Sequence, residues 1–154
     1  MARRAAYVML GVAAGAHAAA AYRPLVNYQL NCQGCHLADG SGEAGRVPSI
    51  RRTLLALSAV PAGRRYVIRV PGVAESPLSD AATAALLNWM VHKLSDVPAQ
   101  PAFAAYTAAE VARWRRHPLA DPAAIRARLL RSLGIQPASR TRAIASRNTA
   151  KSPM

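Results

Sequence analysis

Both cysteines of this 154-residue chain lie in one short segment, residues 32–36, which reads CQGCH. Two thiols separated by two residues can close a disulfide, ligate a metal ion or bond to one larger group. A tetrahedral zinc site needs two further ligands at suitable spacing, and the chain contains no third cysteine. The segment therefore favours chemistry that needs only two thiols and the histidine that follows them.

The histidine narrows the alternatives for this segment. In a C-x-x-C-H sequence the two thiols add across the vinyl groups of haem as thioethers, and the histidine on the same turn ligates the iron. A Cys32–Cys35 disulfide is the alternative, but no βαβ pattern typical of a redox enzyme surrounds the motif. The sequence predicts one covalently attached haem c, tethered by Cys32 and Cys35, with His36 as the axial iron ligand.

The first 18 residues have the order of parts found in a secretory signal peptide. A positive start, MARR, precedes the apolar run AAYVMLGVAAGA, and residues 16–18 (AHA) form an A-x-A cleavage site. The run is too short for a stable membrane anchor, which takes about 20 residues. We expect Sec-type export and a mature protein in the periplasm; an alanine-rich first helix is the alternative.

Positive charge is concentrated at the C-terminal end of the chain. The formal net charge is +13, but residues 19–98 contribute only +3, whereas residues 99–154 contribute +8. An evenly spread charge of this size would suggest nucleic acid as a partner, but nucleic acid is not expected for an exported haem protein. The length allows one domain with a core, and the low aromatic content, 5%, indicates a small and lightly packed helical fold.

Residues 21–96 resemble the class I c-type cytochromes. Tyr28 stands four residues ahead of the first cysteine, and Pro48 stands twelve residues beyond His36. The resemblance implies an all-α, cytochrome c-like fold, in which helices pack around one covalently attached haem. It also implies that the Tyr28 helix packs against a final helix carrying Trp89. By the same resemblance, the Pro48 carbonyl accepts a hydrogen bond from Nδ1–H of His36 and so orients the imidazole.

Local signals predict where the helices begin and end. The first helix begins at Pro24 and carries three apolar side chains on one side, namely Leu25, Tyr28 and Leu30. A middle helical region covers residues 53–72, and within it Pro61 opens a segment that ends at residues 71–72. The final helix has Ser79 as its N-cap, and Asp80 suits the positive first turn.

The chain departs from the family pattern at the sixth iron ligand. The loop before the final helix, residues 70–80 (VPGVAESPLSD), lacks the methionine that the family usually supplies there. The nearby candidates are Met90 and His92, and two residues rotate a helix by about 200°, so only one of them can face the haem. Met90 enters the predicted site as a candidate sixth ligand, although packing also explains a methionine at core spacing. The alternative for His92 is an ordinary surface histidine.

If neither residue ligates the iron, the haem is five-coordinate and open to small molecules. A closed haem serves electron transfer, whereas an open one binds ligands as a sensor or supports peroxide chemistry. Peroxide chemistry needs a distal acid–base group, and residues 70–76 (VPGVAES) offer only Glu75 and Ser76. The sequence therefore favours a non-enzymatic electron carrier, with a ligand sensor or minor peroxidase as the alternative.

The predicted partners are periplasmic redox proteins, a dehydrogenase-type donor and a respiratory acceptor. Such partners meet through small, salt-sensitive contacts between surfaces of complementary charge. Arg46, Arg51 and Arg52 follow the motif closely and are predicted to present a basic docking face near the haem edge. An ordinary solvated surface explains them equally well.

The cytochrome c domain is assigned to residues 19–98, and a helical basic extension to residues 99–134. Within the extension, residues 107–110 (TAAE) form a capping box, and residues 121–134 form an amphipathic basic helix that ends at a glycine. Residues 135–154 are predicted to be a disordered tail.

Three arrangements of the extension are open. It can fold back on the core, dock on an acidic redox partner, or lie on an anionic membrane surface. Folding back is favoured because Phe103, Tyr106 and Trp114 are suitable anchors for a lightly packed core.

Overall fold

The computed structural model describes residues 23–96 and 103–136. Every regular element in these two ranges is an α-helix, which confirms the all-α class. The helices are α1 (Pro24–Asn31), α2 (Leu54–Ser58), α3 (Pro61–Arg69), α4 (Pro71–Ala74), α5 (Asp80–Leu94), α6 (Ala108–Trp114) and α7 (Pro122–Ser132). None of these seven is long and apolar enough to cross a membrane. The predicted signal peptide, the proline-rich linker at 98–101 and the predicted tail beyond residue 136 lie outside the described residues.

Helix α1 begins at Pro24 as predicted. Proline is tolerated there because an N–H in the first turn of a helix has no acceptor within the helix. Tyr28 is only 1% exposed, whereas Leu25 and Leu30 are 49% and 67% exposed. The prediction that all three share one side is therefore wrong. Leu30 follows Tyr28 by two residues, which turns it about 200° away from the core.

Helix α5 supplies the largest share of the core. Ser79 caps it as predicted, since its hydroxyl accepts the N–H of Ala82 at 3.2 Å. Its buried apolar side chains are Ala84, Leu86, Leu87, Met90, Val91 and Leu94. The ring of Trp89 lies 5.6 Å from the ring of Tyr28, so α1 and α5 pack together as expected.

The middle region consists of three short helices, α2, α3 and α4. Helix α3 begins at Pro61, and its last residue, Arg69, precedes Val70 and Pro71, where α4 begins. Proline disfavours helical geometry in the residue before it, which explains the break. At Gly63 a Cβ atom would overlap the backbone carbonyl of Leu57, so only glycine lets α2 and α3 approach this closely.

The extension folds back on the core, which confirms the favoured arrangement. Its side chains Tyr106, Val111, Leu119 and Leu130 are buried in the same apolar cluster as the residues of α1, α3 and α5. The Asn88 side chain of α5 accepts the Tyr106 N–H at 2.7 Å and donates to the Tyr106 carbonyl at 3.0 Å. The Tyr106 hydroxyl also donates to Ser58 Oγ at 2.8 Å. Residues 23–96 and 103–136 therefore share one core.

Arg64 of α3 joins the extension to the core with all five N–H groups of its guanidinium. Nε and Nη2 donate to the two carboxylate oxygens of Glu110 at 2.8 and 2.6 Å. The other N–H groups donate to the carbonyls of Ser58, Ala104 and Ala105. The Arg64 side chain is only 13% exposed, so solvent screens this ion pair less than a surface pair.

The pairing of Glu110 with Arg64 changes the predicted capping box. Thr107 Oγ1 accepts the N–H of Glu110 at 3.1 Å, so half of the box forms. The Glu110 carboxylate pairs with Arg64 across the interface instead of returning to the Thr107 N–H. Arg64 and Glu110 are 46 positions apart, so the local sequence pattern around Thr107 could not predict this contact.

Helix α7 begins and ends as the sequence predicted. Asp121 Oδ1 accepts the N–H of Ala124 at 2.9 Å. At the other end Gly134 has φ +68°, and its N–H donates to the Arg131 carbonyl while the N–H of Ile135 donates to the Leu130 carbonyl. This is a Schellman motif. The apolar stripe of α7 packs against the core. Arg126 donates to Thr53 Oγ1 at 3.0 Å, whereas Arg128 and Arg131 are exposed.

Candidate functional site

The two cysteines and the histidine lie on one tight turn that continues from the end of α1. The N–H of Cys32 donates to the Tyr28 carbonyl at 2.9 Å, and the N–H groups of Cys35 and His36 donate to the Cys32 carbonyl at 3.1 and 2.8 Å. Both thiols are free, with Cys32 half-buried and Cys35 exposed. The structure therefore brings together the three residues that the sequence predicted to act together.

Tyr28 fixes the backbone immediately after this turn. Its hydroxyl donates a 2.6 Å hydrogen bond to the carbonyl of Leu37, the residue that follows His36. Burial is the main reason that the pKa of Tyr28 rises to about 12, so the hydroxyl stays protonated and keeps donating. Since the same ring packs on Trp89, α5 is connected through Tyr28 to the turn. The sequence predicted the ring contact but gave no signal for the hydrogen bond.

His36 is held with one ring nitrogen unsatisfied. Its Nδ1 is buried and has no hydrogen-bond partner within the described part of the chain. Burial lowers the pKa of His36, which favours the neutral imidazole that metal ligation requires. Buried polar atoms are normally paired, and the predicted bond to the Pro48 carbonyl would pair Nδ1 and leave Nε2 as the nitrogen that ligates iron.

The hydrogen bond from His36 to the Pro48 carbonyl does not form in this structure. Pro48 is exposed, and its backbone lies against Gly42, where a Cβ atom would come within 2.8 Å of the Pro48 carbonyl carbon. Residues 43–47 form a turn closed by N–H groups donating to the Glu43 carbonyl. The role of Pro48 in the haem-bound protein stays a prediction.

The chemistry of the thiols favours attachment over redox catalysis. Burial, with a smaller contribution from Cys35, raises the pKa of Cys32 to about 11. Catalytic C-x-x-C pairs work through a thiolate whose pKa is lowered. A Cys32 thiol that stays protonated at neutral pH argues against a thiol–disulfide exchange enzyme.

The loop after the turn is fixed by charged groups. Arg51 donates to Asp39 and to Asp96, each at 2.7 Å, and joins the loop to the end of α5. Hydrogen bonds from Ser41, and then the Arg51 guanidinium, lower the pKa of Asp39 to about 2. Arg46 pairs with Glu43 at 3.0 Å.

These pairs change the predicted basic docking face. Arg46 and Arg51 are neutralised by neighbouring carboxylates, so they do not offer the free charge that a docking face needs. Arg52 is exposed and forms no ion pair with the described residues. A face built from all three arginines is therefore reduced to Arg52, because sequence spacing did not reveal the two carboxylates that reach Arg51.

The candidates for a sixth iron ligand lie in different surroundings. Met90 is 5% exposed and belongs to the apolar core together with Tyr28. His92 is exposed, and its ring stands edge-on to Phe103 at 5.7 Å, which agrees with the surface alternative. Among the described residues no cluster of three or more His, Cys, Asp or Glu side chains could hold a metal ion. Met90 as a ligand stays a prediction.

The loop at 70–80, which contains no methionine, is fixed by Arg115 from the extension. The guanidinium donates to the carbonyls of Ala74, Ser76 and Leu78 at 3.2, 2.7 and 2.7 Å. It also pairs with Asp80 at 3.1 Å. One side chain, only 14% exposed, thus satisfies the backbone carbonyls of Ala74, Ser76 and Leu78.

The polar groups of this loop are poorly suited to acid–base work. The Ser76 hydroxyl donates to the Val73 carbonyl at 3.0 Å, so its proton is already used within the loop. Glu75 is exposed and accepts no hydrogen bond from the described residues. The structure thus adds no support to the peroxide alternative.

The residues around the turn fit a covalently attached haem. Two unbonded thiols and a half-buried imidazole share one turn. The exposed large hydrophobic side chains of the described chain, Leu25, Leu30 and Leu37, all lie near it in the sequence. Two sulfur atoms, one nitrogen and uncovered leucines are what a large apolar ring with a central iron would use.

The comparisons with known proteins neither name this arrangement nor exclude it. They found no matching family model, no similar curated protein and no similar solved structure.

Proposed function

We propose that this chain is an exported, mono-haem class I c-type cytochrome that carries single electrons between a periplasmic dehydrogenase-type donor and a respiratory acceptor. The observation that carries the proposal is the turn at residues 32–36, where two free thiols precede a half-buried histidine whose lowered pKa favours the neutral imidazole. An all-helical chain with one shared core is consistent with a cytochrome c-like fold. The N-terminal sequence supports export to the periplasm.

When bound, the haem supplies a one-electron couple at its iron. The residues of this chain have separate parts in holding it. Cys32 and Cys35 form the two thioether bonds, and His36 provides an imidazole nitrogen from the same turn. Tyr28 fixes the carbonyl of Leu37 and so limits the movement of the backbone that carries the imidazole. A fixed ligand requires little rearrangement when the charge on the iron changes, which suits electron transfer.

The function is tested by a redox titration of the purified holoprotein. We expect one reversible one-electron transition, and rapid reduction by a small donor without catalytic turnover of peroxide. Sustained peroxide reduction at a rate above that of free haem would contradict a simple electron carrier.

A second candidate function is a five-coordinate haem protein that binds small ligands. The observation in its favour is that the loop at 70–80 contains no methionine that could ligate the iron. Arg115 fixes this loop by donating to the carbonyls of Ser76 and Leu78. The position of Met90 in the apolar core is explained by packing alone.

Carbon monoxide separates the two candidates. A reduced protein with a low-spin spectrum that does not respond to the gas has a closed iron site, and the Met90→Leu variant then tests whether Met90 closes it. A high-spin spectrum with ready binding of carbon monoxide supports the ligand-binding candidate. The His92→Gln variant serves as the matched control, because its ring lies against Phe103.

A further inference from the structure

A groove of about 680 Å³ lies between α3 and α6, and none of its residues belongs to the turn at 32–36. It is lined by Pro61, Arg64, Arg65, Ala109, Glu110, Arg113 and Trp114. Three cations and one carboxylate give the lining a net charge of +2. The extension builds one wall and the core builds the other, so the groove exists only because the extension folds back.

The three arginines of the groove are not equivalent. Arg64 uses all five N–H groups in contacts within the fold. Arg65 and Arg113 are exposed and donate no hydrogen bond to any described residue. The Arg64 pair neutralises Glu110, so the carboxylate does not compensate the other two cations. The groove therefore presents two guanidinium groups whose donors are free.

Trp114 holds these two guanidinium groups together. The Cζ atoms of Arg65 and Arg113 lie 5.4 and 4.9 Å from the centroid of its ring. Such stacking orients a guanidinium without using its N–H groups, which stay available for bidentate bonds to carboxylates. Because both cations stand over one ring, a single short segment can reach both.

The chain itself has no acidic segment to fill the groove. All seven of its Asp and Glu residues lie in the described ranges, and five of them are in ion pairs. The remaining parts of the sequence carry only basic charges, at Arg3, Arg4, Arg140, Arg142, Arg147 and Lys151. A second copy of a chain with net charge +13 is repelled for the same reason.

A membrane surface fits the groove less well than a protein segment. The exposed large hydrophobic side chains of the described residues are on α1 and the following turn, not on α3 or α6. Membrane-surface binding by a helix uses an apolar face that enters the lipid, and the extension has packed its apolar side chains into the core.

We propose that the groove between α3 and α6 is a docking site for an acidic segment of a partner protein, whose carboxylates pair with Arg65 and Arg113. This site does not depend on the haem. It also differs from the basic helix α7, for which docking on an acidic partner was one of three arrangements that the sequence left open. Guanidinium forks are the side chains best suited to bidentate recognition of carboxylates.

The test measures binding of the full-length holoprotein to an immobilised peptide of ten glutamates at low ionic strength. The Arg65→Gln/Arg113→Gln double variant should bind about tenfold more weakly, as expected when two exposed charge pairs are lost. Arg128→Gln/Arg131→Gln is the matched control, because it removes the same charge from exposed positions of α7. Its affinity should stay within about twofold of the native value. Thermal unfolding of both variants checks that the fold is intact.

Three results would overturn the proposal. The native protein fails to bind the peptide, the two double variants lose affinity equally, or neither loses any. An equal loss would mean that the peptide responds to overall charge rather than to the groove. In a parallel arm with vesicles of phosphatidylglycerol and phosphatidylcholine, loss of vesicle binding by Arg65→Gln/Arg113→Gln with peptide binding retained would assign the two arginines to a lipid surface.

Discussion

At the scale of single residues, Tyr28 shows how one side chain can serve both the core and the candidate site. Its ring contacts Trp89 of α5, and its hydroxyl donates to the Leu37 carbonyl next to His36. The aromatic position was predicted from its distance to the first cysteine. The hydrogen bond was not predictable, because it depends on how the chain turns back after residue 36.

Replacing Tyr28 by phenylalanine separates these two contacts. The ring contact with Trp89 remains, but the Leu37 carbonyl loses its donor, so the free energy of unfolding should fall by about 1 kcal/mol. Tyr66→Phe is the control, because Tyr66 is buried and its hydroxyl makes no hydrogen bond to a described residue, although it lies near the Arg126 cation. Urea unfolding followed by circular dichroism measures both variants, and equal losses would show that the Leu37 bond contributes nothing specific.

Asp39 gives a prediction for the pH dependence of stability. Its pKa in the folded chain, about 2, lies below its ordinary value of 3.8, chiefly because Ser41 donates to the carboxylate. A lowered carboxyl pKa stabilises the fold above the ordinary value, and the stabilisation is lost as the pH falls from about 3.8 towards 2. Over that interval the native protein should lose stability more steeply than the Asp39→Asn variant.

Chemical unfolding at a series of pH values tests this prediction. Glu75→Gln is the matched control, since Glu75 is exposed and accepts no hydrogen bond from the described residues. The unfolding free energy of Glu75→Gln should fall with decreasing pH as steeply as that of the native protein. If the unfolding free energies of the native protein and Asp39→Asn fell equally steeply with decreasing pH, a stabilising role of the ionised Asp39 would be contradicted.

At the scale of elements, the helix boundaries were largely predictable and the contacts between helices were only partly so. Pro24, Ser79 and Gly134 act locally, through a missing N–H, a capping hydroxyl and a positive φ, and the helices begin or end there as expected. The contacts of Arg64 and Arg115 join residues that are tens of positions apart. Local patterns carry no information about such partners.

Arg115 provides the sharpest test of how α6 stabilises the loop at 70–80. The Arg115→Ala variant leaves the carbonyls of Ala74, Ser76 and Leu78 without their charged donor, so it should lose about 2–3 kcal/mol of unfolding free energy. Arg116→Ala removes the same type of side chain from an exposed position without a described partner and should change stability by less than about 0.5 kcal/mol. Equal changes in the urea midpoint of the two variants would contradict the stabilisation of this loop by Arg115.

At the scale of the whole molecule, the sequence indicated a domain followed by an extension, but the structure has one core to which both contribute. Tyr106, Val111, Leu119 and Leu130 are buried against residues of the N-terminal part. The aromatic anchors favoured folding back, but hydrophobic periodicity could not show where the extension would dock. For the same reason, the groove between α3 and α6 was not visible in the sequence.

Removing the extension should therefore destroy the cooperative fold. A chain that ends at residue 102 exposes the apolar surface that Tyr106, Val111 and Leu130 cover, so we expect loss of a sharp thermal transition. A chain that ends at residue 136 keeps every described contact, and its Tm should match that of the full chain. A cooperative transition in the shorter chain would mean that residues 23–96 form an independent domain.

The central claim is that Cys32, Cys35 and His36 hold a haem covalently. The most direct measurement is the intact mass of the protein after expression in a periplasm that attaches haem c, followed by extraction with acidified butanone. We predict the mass of the processed chain plus one haem, which resists extraction, and loss of that mass in the Cys32→Ser/Cys35→Ser variant. A bare polypeptide lighter by two hydrogens, with a Cys32–Cys35 disulfide and no haem, would contradict the account.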